Sequence, residues 1–369
     1  MLQKGKLEGV GRFSYEILKR IVHEHPEHEF FFLFDRPFDK DFEFADNVHA
    51  VYAGPPTRHP FLYVLWFEYT IPKLLKAVNA DLFISMDGHL SLRTKVKSIT
   101  AIHDLNFEHH PQYLLWLLRK YYTFFFPKFA KKAERIITVS NFCKEDISKT
   151  YKVKKDKIDV VYNASSKDFN PISDVRKAEI KLEFSDNQPY FSFLGGLYPR
   201  KNLQNMLLAF DEFKKATNLP YKFILMGNKE VMGKESLTNV YNGLKFKNDV
   251  LFVGRIEPSS KASEIIAASN AFVFVSNFEG FGIPLLEAMH CDVPIICGDS
   301  SAMPEVTGKA SLKVDSSDVL AISKAMEKIC TDTMIRETLI TEGQKQREKF
   351  NWDKSAEAFW ACIQKEIKQ

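Results

Sequence analysis

Short apolar runs alternate with helix-patterned segments along almost the whole chain, and this alternation limits the possible fold more than any other feature. Each run is apolar enough to predict a strand that is buried on both faces. Strands that alternate with helices predict parallel sheets covered by helices on both sides. The predicted strands lie at residues 30–34, 48–52, 81–85, 98–103, 135–140, 158–162, 190–194, 222–226, 250–253, 271–276, 294–297 and 311–314. Helices are predicted at residues 13–23, 202–217, 260–268, 284–290 and 319–329.

The length of the chain predicts more than one domain. A chain of 369 residues exceeds what one ordinary hydrophobic core accommodates. Residues 163–189 are polar and show no apolar periodicity, which places the boundary there. We therefore predict two doubly wound, Rossmann-like α/β domains at residues 1–165 and 166–350. Because such domains bind ligands at the carboxyl ends of their strands, we expect the functional site in a cleft between them.

The composition narrows the class of partner and the compartment. The net charge is +4, which fits an anionic ligand or an anionic membrane surface better than nucleic acid, whose binders show a dense basic patch. No apolar run reaches the roughly 18 residues of a transmembrane helix, and residues 1–8 do not resemble a secretion signal. The five cysteines form no paired motif. We expect reduced thiols and a cytoplasmic location.

The segment GGLYPRKN, after predicted strand 190–194, combines glycines with cations. Gly195 and Gly196 allow the backbone to approach a ligand closely. Arg200 and Lys201 precede a predicted helix, whose first N–H groups and dipole favour an anion. Together these features suit a diphosphate. The alternative is a tight turn with two solvated cations.

The segment EGFGIPLLEAM, after predicted strand 271–276, carries two glutamates eight positions apart. Gly280 and Gly282 have no side chains, so the loop occupies little space, and Pro284 suits the first turn of a helix. Glu287 falls one turn further, where its carboxylate can accept hydrogen bonds from two vicinal hydroxyls. Glu279, at the strand tip, can accept from a sugar hydroxyl. Either glutamate alone is a common loop or helix-start charge, but the pair beside the basic motif favours a sugar-nucleotide site.

These motifs belong to an ordered set that resembles a known family. EGVGRFSYEILKRI, AIHDLNFEHHP, RIITVSNFCKEDI, VVYNAS, GGLYPRKN, DVLFVGRI and EGFGIPLLEAM resemble, in this order, blocks of the retaining glycosyltransferases of family four, the group 1 transferases. The last resembles their E-x7-E signature. The resemblance implies a GT-B fold, with two Rossmann-like domains facing a cleft and the nucleotide-sugar held mainly by the second. It also implies that residues 351–369 form a helix that crosses back to the first domain.

The resemblance also implies roles for individual residues. By position, Arg200 and Lys201 would neutralise the diphosphate, Glu279 would contact the donor sugar, and His103 would contact that sugar beside the acceptor. A lone histidine after a strand is also a common structural hydrogen-bonding residue. The implied donor-binding residues are Glu287 for the ribose, the loop of Gly280, Phe281 and Gly282, the pair Gly195 and Gly196, and Gly9 and Gly11 of the first domain.

The implied activity is retaining, metal-independent transfer of a hexose, with no cofactor. The donor would be a nucleotide-diphosphate sugar, GDP-mannose being the first candidate, and the acceptor a glycan or lipid-linked glycan in bacterial surface-polysaccharide synthesis. The departing diphosphate would help to deprotonate the acceptor on the same face of the sugar. Two alternatives remain. A sugar-nucleotide epimerase of similar architecture would need no acceptor, and a non-catalytic nucleotide-sugar-binding protein would show no turnover.

Two further segments bear on metals and membranes. Asp39-Lys40-Asp41 matches the D-x-D pattern that holds a metal in another transferase fold, but it lies in a polar, phenylalanine-rich stretch, so we predict a solvated loop without metal. Residues 59–76 and 113–135 mix aromatic and basic side chains. They fit either a surface that rests on the inner face of an anionic membrane or helices packed on the first-domain sheet.

The amino-terminal end departs from the family pattern. Family members open with an apolar strand before the glycine loop, whereas this sequence opens with MLQKGKLEGVG. In a doubly wound sheet the first strand is central. We therefore expect unpaired neighbouring strands, an open slot in the first-domain core, and weaker anchoring of Gly9 and Gly11; the interpretation is a natural start further upstream.

Overall fold

The structure, a computed structural model, describes residues 9–57, 59–228 and 235–367. The chain forms two compact units. The first comprises Met1–Asn163 with Asn351–Gln369, and the second comprises Ala164–Phe350.

The strands of the first unit fall into two parallel sheets rather than one. β1 pairs with β2 in a two-stranded sheet, and the four other strands pair in the order β3-β4-β5-β6. The strands are β1 (Phe30–Phe34), β2 (Val48–Tyr52), β3 (Leu82–Ser85), β4 (Lys97–Ala101), β5 (Arg135–Thr138) and β6 (Ile158–Val160).

Helices of the first unit bury apolar faces against these sheets. Trp66, Phe67 and Ile71 join Phe129 and Ile136 in one buried cluster, because their spacing places large side chains on the side of each helix that faces the strands. A π-helical stretch, Trp66–Thr70, links the second and third helices. The helices are α1 (Val10–Glu24), α2 (Pro60–Leu65), α3 (Ile71–Ala77), α4 (Asn106–His109), α5 (Trp116–Lys132) and α6 (Asn141–Tyr151).

The second unit contains one six-stranded parallel sheet in the order β12-β11-β10-β7-β8-β9. The order reverses between β7 and β10, since β8 and β9 extend the sheet one way and β11 and β12 the other. The inner strands are buried along their length, as parallel strands covered on both faces require. The strands are β7 (Tyr190–Leu194), β8 (Lys222–Met226), β9 (Val250–Gly254), β10 (Ala271–Phe274), β11 (Ile295–Gly298) and β12 (Ser311–Val314).

Four helices of the second unit were not predicted, namely Asp174–Ser185, Glu235–Gly243, Met303–Thr307 and Thr333–Arg347. Asp174–Ser185 lies within the segment 163–189 that the sequence indicated to be irregular. The side chain of Ser173 caps it, accepting a hydrogen bond from the Arg176 N–H, but of its own residues only Ile180 and Ser185 are buried. Apolar periodicity is therefore nearly absent. The helices are α7 (Asp174–Ser185), α8 (Leu203–Thr217), α9 (Glu235–Gly243), α10 (Ser259–Ala267), α11 (Ile283–His290), α12 (Met303–Thr307), α13 (Val319–Thr331) and α14 (Thr333–Arg347).

The last helix, α15 (Trp352–Ile367), packs on α1 of the first unit. Its Trp360 ring stacks on His25, with the ring centroids 3.6 Å apart. Arg20 Nε donates to Asp353 Oδ1 at 2.6 Å. The carboxyl-terminal residues therefore complete the core of the amino-terminal unit.

The predicted fold class is confirmed. Every strand predicted from the sequence is present, and its ends differ from the prediction by at most two residues. Within the described residues, no helix combines the length and the apolarity that crossing a bilayer requires.

Candidate active site

The carboxyl ends of β7 and β10 meet at the point where the strand order of the second unit reverses. The two strands are hydrogen-bonded neighbours, with Ala271 opposite Phe191. The loops that follow leave the sheet in opposite directions at such a point, and the crevice between them is where open α/β sheets bind ligands. GGLYPRKN follows β7 and NFEGFG follows β10, so both sequence motifs lie at this point.

A buried ionic cluster joins the two motifs. Lys201 Nζ donates to Glu279 Oε1 at 2.6 Å, and both side chains are only 7% exposed. Arg200 Nη1 lies 3.0 Å from the same oxygen and is 28% exposed. Lys201 Nζ also lies 4.5 Å from the centre of the Phe274 ring, a cation–π contact. Two cations thus share one carboxylate, which leaves a net positive charge at the end of the sheet.

These cations keep Glu279 ionised. Burial alone would raise the pKa of the Glu279 carboxyl, but the charges of Lys201 and Arg200, together with the hydrogen bond from Lys201, hold that pKa below its ordinary value. The Glu279 backbone N–H donates to Ser301 Oγ at 3.1 Å. The carboxylate is therefore fixed in place as a charged acceptor.

Backbone hydrogen bonds and one asparagine hold the two loops together. The Asn277 N–H donates to the Arg200 carbonyl at 2.8 Å, and Arg200 Nη1 donates to the Phe278 carbonyl at 3.2 Å. Asn202 adopts a left-handed backbone conformation, and its buried amide donates to the carbonyls of Val275 and Ser316 at 3.0 and 2.7 Å. These bonds fix the position of Lys201 relative to β10.

The two glycines after β7 leave room beside the cluster. Gly195 has φ 155°, and a Cβ there would approach the Phe193 ring to 3.3 Å and Lys201 Cε to 3.7 Å. A Cβ on Gly196 would lie 2.4 Å from the Tyr198 ring. A side chain at Gly195 would press on the Phe193 ring, and one at Gly196 would press on the Tyr198 ring. The approach of this backbone to a ligand stays a prediction.

Helix α11 begins directly after the second loop, with Gly282 at its amino-terminal cap in a left-handed conformation. Pro284 has no N–H, and the Leu285 N–H donates to the Gly282 carbonyl at 2.9 Å. The Ile283 N–H is thus the donor that this turn can offer to an anion. Glu287 lies one turn into the helix and is half-buried, in the position that the sequence indicated.

The side chain of Phe281 packs in the core and does not face the site. Its ring is buried and meets Phe350 edge-on, with the centroids 5.4 Å apart. Phe281 can therefore contact a bound nucleotide-sugar only through its backbone. The same holds for Gly280, which has no side chain.

His103, in the first unit, follows β4 and is half-buried. Its Nε2 lies 3.0 Å from the Met86 carbonyl oxygen, and because a carbonyl only accepts, Nε2 carries the proton. Burial lowers the pKa of His103 more than this hydrogen bond and Asp104 raise it. The ring is consequently neutral at neutral pH, with Nδ1 as the acceptor.

Gly9 and Gly11 lie at the start of α1 in the first unit. Gly9 is exposed, caps the helix with φ 49°, and has open space where a Cβ would be. Gly11 is buried within the first turn. Residues 1–8, which precede them, lie outside the described residues.

The acidic D-x-D pattern forms a short exposed turn. Lys40–Phe42 is a 3-10 turn, and the Asp39 carboxylate accepts from the Asp41 N–H at 3.1 Å. Across the described part of the chain, histidine, cysteine and acidic side chains form no group of three that could hold a metal ion.

Three residues of the cluster were missed by the sequence analysis, namely Asn202, Phe274 and Ser301. Asn202 directly follows the basic pair, which is a local signal for its importance. The sequence around Phe274 and Ser301 contains no such signal, because their role arises only when the fold brings β10 and the loop after β11 together.

Comparisons with known proteins agree with this geometry. The family description "Glycosyl transferases group 1" matches residues 174–346, and "Glycosyltransferase Family 4" matches residues 7–166. The chain belongs to the group 1 glycosyltransferases. The expected family is therefore confirmed, and with it glycosyltransferase activity.

Two relatives of the chain are bacterial transferases. The O-antigen chain mannosyltransferase B of Escherichia coli is 27% identical over 95% of this chain and 94% of its own length. The O-antigen chain mannosyltransferase RfbU of Salmonella typhimurium is 26% identical over 73% of this chain and 70% of its own. Among solved structures, HepE of Anabaena, in complex with UDP and glucose, superposes with a TM-score of 0.75 over 98% of each chain at 15% identity. The likeness to HepE supports the GT-B fold.

Proposed function

We propose that the protein transfers a hexose from a nucleotide-diphosphate sugar to a glycan or lipid-linked glycan in bacterial surface-polysaccharide synthesis. Mannose, carried by GDP, is the first candidate for the sugar. The two relatives described above, both O-antigen mannosyltransferases, support this choice.

The observation that carries the proposal is the cluster of Arg200, Lys201 and Glu279 at the sheet's reversal point. Breaking a sugar–phosphate bond places negative charge on the departing diphosphate. Fixed cations in a site that excludes water stabilise that charge without reorganising, and this is usually the largest catalytic contribution. Lys201 is already buried and held in place, so it meets this requirement. Arg200, more exposed, supplies the second charge.

The two glutamates bind hydroxyl groups on either side of the diphosphate. Glu279, kept ionised by its two cations, accepts a hydrogen bond from a hydroxyl of the donor sugar. Glu287 accepts from the ribose hydroxyls, while the Ile283 N–H and the backbone of Gly195 and Gly280 approach the phosphates. From the first unit we propose His103, Gly9 and Gly11 as donor contacts, with His103 Nδ1 as an acceptor for a sugar hydroxyl.

Transfer is proposed to retain the anomeric configuration and to need no metal ion. The acceptor oxygen forms its bond to the anomeric carbon on the face from which the diphosphate leaves, and the diphosphate oxygen takes the acceptor's proton. Two cations pair with the single carboxylate of Glu279, and the positive charge that this leaves can neutralise the diphosphate in place of a divalent ion.

A membrane-facing surface is part of the proposal. Helix α5 exposes Trp116 and Phe124, which share one helical face with basic Arg119, Lys120 and Lys128. The neighbouring α2 and the π-helical stretch expose Phe61, Leu65 and Tyr69. Apolar rings flanked by cations suit the interface of an anionic bilayer. We therefore propose a cytoplasmic enzyme that rests on the inner face of the cell membrane, where a lipid-linked acceptor lies.

A panel of donors tests the activity directly. Nucleoside diphosphates are first ranked by thermal shift, since a ligand at about a hundred times its Kd adds about 2.7 kcal/mol of stability. Radiolabelled nucleotide-hexoses with the preferred base are then incubated with glycolipid extract. We expect label to enter the glycolipid, fastest from GDP-mannose. Conversion of the donor without extract would instead identify an epimerase, and binding without turnover a nucleotide-sugar-binding protein.

A further inference from the structure

The loop that follows β3, residues 86–93, is anchored at both ends. At its start the Met86 carbonyl accepts a hydrogen bond from His103 Nε2 at 3.0 Å. At its end the buried carboxylate of Glu68, in the π-helical stretch, accepts from the last two N–H groups of the segment at 2.9 and 3.0 Å. We call this segment the β3 loop. Its fixed backbone gives the side chains near its centre a defined position.

His89 anchors the middle of the β3 loop in a buried aromatic cluster. The residue is only 5% exposed, and its Nδ1 lies 3.2 Å from both the carbonyl oxygen and the carboxylate Oδ1 of Asp87. Because both oxygens only accept, Nδ1 carries the proton, and the ring holds Asp87 in place. The aromatic rings whose centroids lie 5.1 to 6.0 Å from that of the imidazole are those of Tyr63, Phe67, Tyr121, Tyr122 and Phe126.

The Asp87 carboxylate is ionised and remains open to a further hydrogen bond. Its Oδ1 accepts from Ser85 Oγ at 3.0 Å and faces His89, while the Asp87 side chain is 33% exposed. Burial alone would raise the pKa of the Asp87 carboxyl, but His89 and the hydrogen bonds from His89 and Ser85 hold that pKa below its ordinary value. Within the described residues both contacts of the carboxylate are to Oδ1, so Oδ2 can accept a hydrogen bond from a ligand.

Asp87 stands beside His103 at the carboxyl-terminal edge of the four-stranded sheet. β3 and β4 are hydrogen-bonded parallel neighbours, with Ser85 opposite Thr100, and Asp87 and His103 each follow the end of their strand by two residues. Burial raises the pKa of Tyr63, and the charge of Asp87 adds to this effect, so the Tyr63 phenol also lies near the carboxylate. Open α/β sheets bind their ligands at this edge.

The surroundings of Asp87 favour a neutral sugar over the diphosphate of the donor. Its described partners are a serine hydroxyl and an imidazole rather than lysine or arginine, so the carboxylate would repel a phosphate group. A sugar hydroxyl, in contrast, is a donor that an ionised carboxylate binds strongly. Tyr63 and Tyr122, both half-buried, add aromatic surface of the kind that surrounds the few polar groups of a small-molecule site.

We propose that Asp87 binds the acceptor sugar, its Oδ2 accepting a hydrogen bond from a hydroxyl next to the one that attacks, and that His89 is the residue that positions Asp87. This inference rests on the proposed function, since it assigns a residue to the acceptor of that reaction. An ionised Asp87 orients the acceptor and does not deprotonate it. The attacking hydroxyl therefore still gives its proton to the departing diphosphate.

Separate acceptor and donor kinetics test the role of Asp87. Transfer of labelled hexose is measured with the glycolipid extract in serial dilution at saturating donor, and then with the donor varied at a fixed amount of extract. Asp87→Asn should raise the apparent KM for the extract by about tenfold or more, the factor that a hydrogen bond to a charged group contributes, and leave the KM for the donor unchanged. Asp146→Asn is the matched control and should change neither KM, since Asp146 of the first unit also pairs with a histidine, His109, at 2.8 Å.

His89→Phe tests the positioning role, because phenylalanine keeps a ring in the aromatic cluster but removes the N–H that faces Asp87. Alone it should raise the acceptor KM by about two- to tenfold, the factor of one neutral hydrogen bond, with kcat little changed. Combined with Asp87→Asn it should cause no further increase, because the two residues act as one unit. Losses that simply add in the double variant would refute the positioning role of His89.

The possible failures of this inference and of the proposed function are distinguishable. An unchanged acceptor KM in Asp87→Asn, with transfer by the wild type, would overturn the inference alone. Equal increases in the acceptor and donor KM would overturn the assignment of Asp87 to the acceptor. A wild-type protein that transfers hexose from none of the donors would refute the proposed function and this inference with it. If Asp87→Asn does not fold, Asp87→Glu, which keeps the charge but displaces it by one methylene, gives the same comparison.

Discussion

Replacing Lys201 by methionine is the most informative change to the cluster. Methionine keeps the length and the apolar stem of the side chain but removes the charge that lies 2.6 Å from Glu279. Arg200, 3.0 Å from the same carboxylate oxygen, remains. Glu279 is therefore left with one of its two counter-charges in a buried environment.

The structure sets the size of both expected effects. Because Arg200 still pairs with Glu279, the loss should be that of one hydrogen bond to a charged group, about 1.5–3 kcal/mol, rather than that of an orphaned buried charge. For a unit of this size that corresponds to about 3–10 °C in Tm. Turnover should fall about 10²–10³-fold, because a preorganised charge on the leaving group is lost.

The assay is steady-state transfer of labelled hexose, with Tm measured on the same samples. Lys177→Met is the control, since Lys177 also pairs with a carboxylate, that of Asp174, but the two side chains are 39% and 96% exposed. An exposed pair contributes little, so this variant should keep its turnover and lose at most about 1 kcal/mol. A Lys201→Met protein that is destabilised but transfers hexose at nearly the wild-type rate would refute the role of the cluster in catalysis.

Four other predictions follow from the same geometry. Glu279 has a depressed pKa in the folded protein, so its contribution to the free energy of unfolding is present above its ordinary pKa of 4.5 and is lost as the pH falls through the lower folded value. The difference in unfolding free energy between wild type and Glu279→Gln should therefore narrow over that range. A difference that does not change with pH would contradict an ionised Glu279. Glu287→Gln should weaken the binding of nucleoside diphosphates by about tenfold or more in calorimetry and leave the binding of inorganic pyrophosphate unchanged. An equal loss of affinity for both ligands would place Glu287 away from the ribose. Added EDTA should not change the transfer rate. Loss of transfer in EDTA that only a divalent ion restores would contradict the proposal that no metal ion is needed. Trp116→Ser should reduce flotation with anionic vesicles, whereas Leu182→Ser, which alters a side chain of equal exposure in the second unit, should not; equal flotation of both variants and wild type would argue against the membrane surface.

The strands could be predicted from the sequence because most of them are buried on both faces. Phe191 to Phe193 and Phe272 to Phe274, for example, are fully buried, and runs of this kind are uncommon outside parallel sheets. The motifs that follow β7 and β10 then predicted Arg200, Lys201 and Glu279 as site residues, and the structure brings these three side chains together in one ionic cluster.

Features that depend on long-range contacts could not be predicted in the same way. Helix α7 was missed because few of its residues are buried, so its pattern resembles a polar linker. The pairing of both cations with one oxygen of Glu279 joins positions 78 residues or more apart in sequence, and no local pattern indicates which carboxylate they choose. Asn202 fixes this arrangement through two hydrogen bonds from its amide, and Ser301 through one that its hydroxyl accepts. Such bonds between loops leave no periodic signal.

A crystal structure of the protein with a bound nucleoside diphosphate would show whether Lys201 and Arg200 bind the diphosphate. We expect phosphate oxygens about 2.8 Å from Lys201 Nζ and from the Arg200 guanidinium, the distance of a charge-assisted hydrogen bond, with the Glu287 carboxylate on the ribose hydroxyls. A nucleotide bound elsewhere, with neither Lys201 nor Arg200 in contact with its phosphates, would refute the proposed role of these cations.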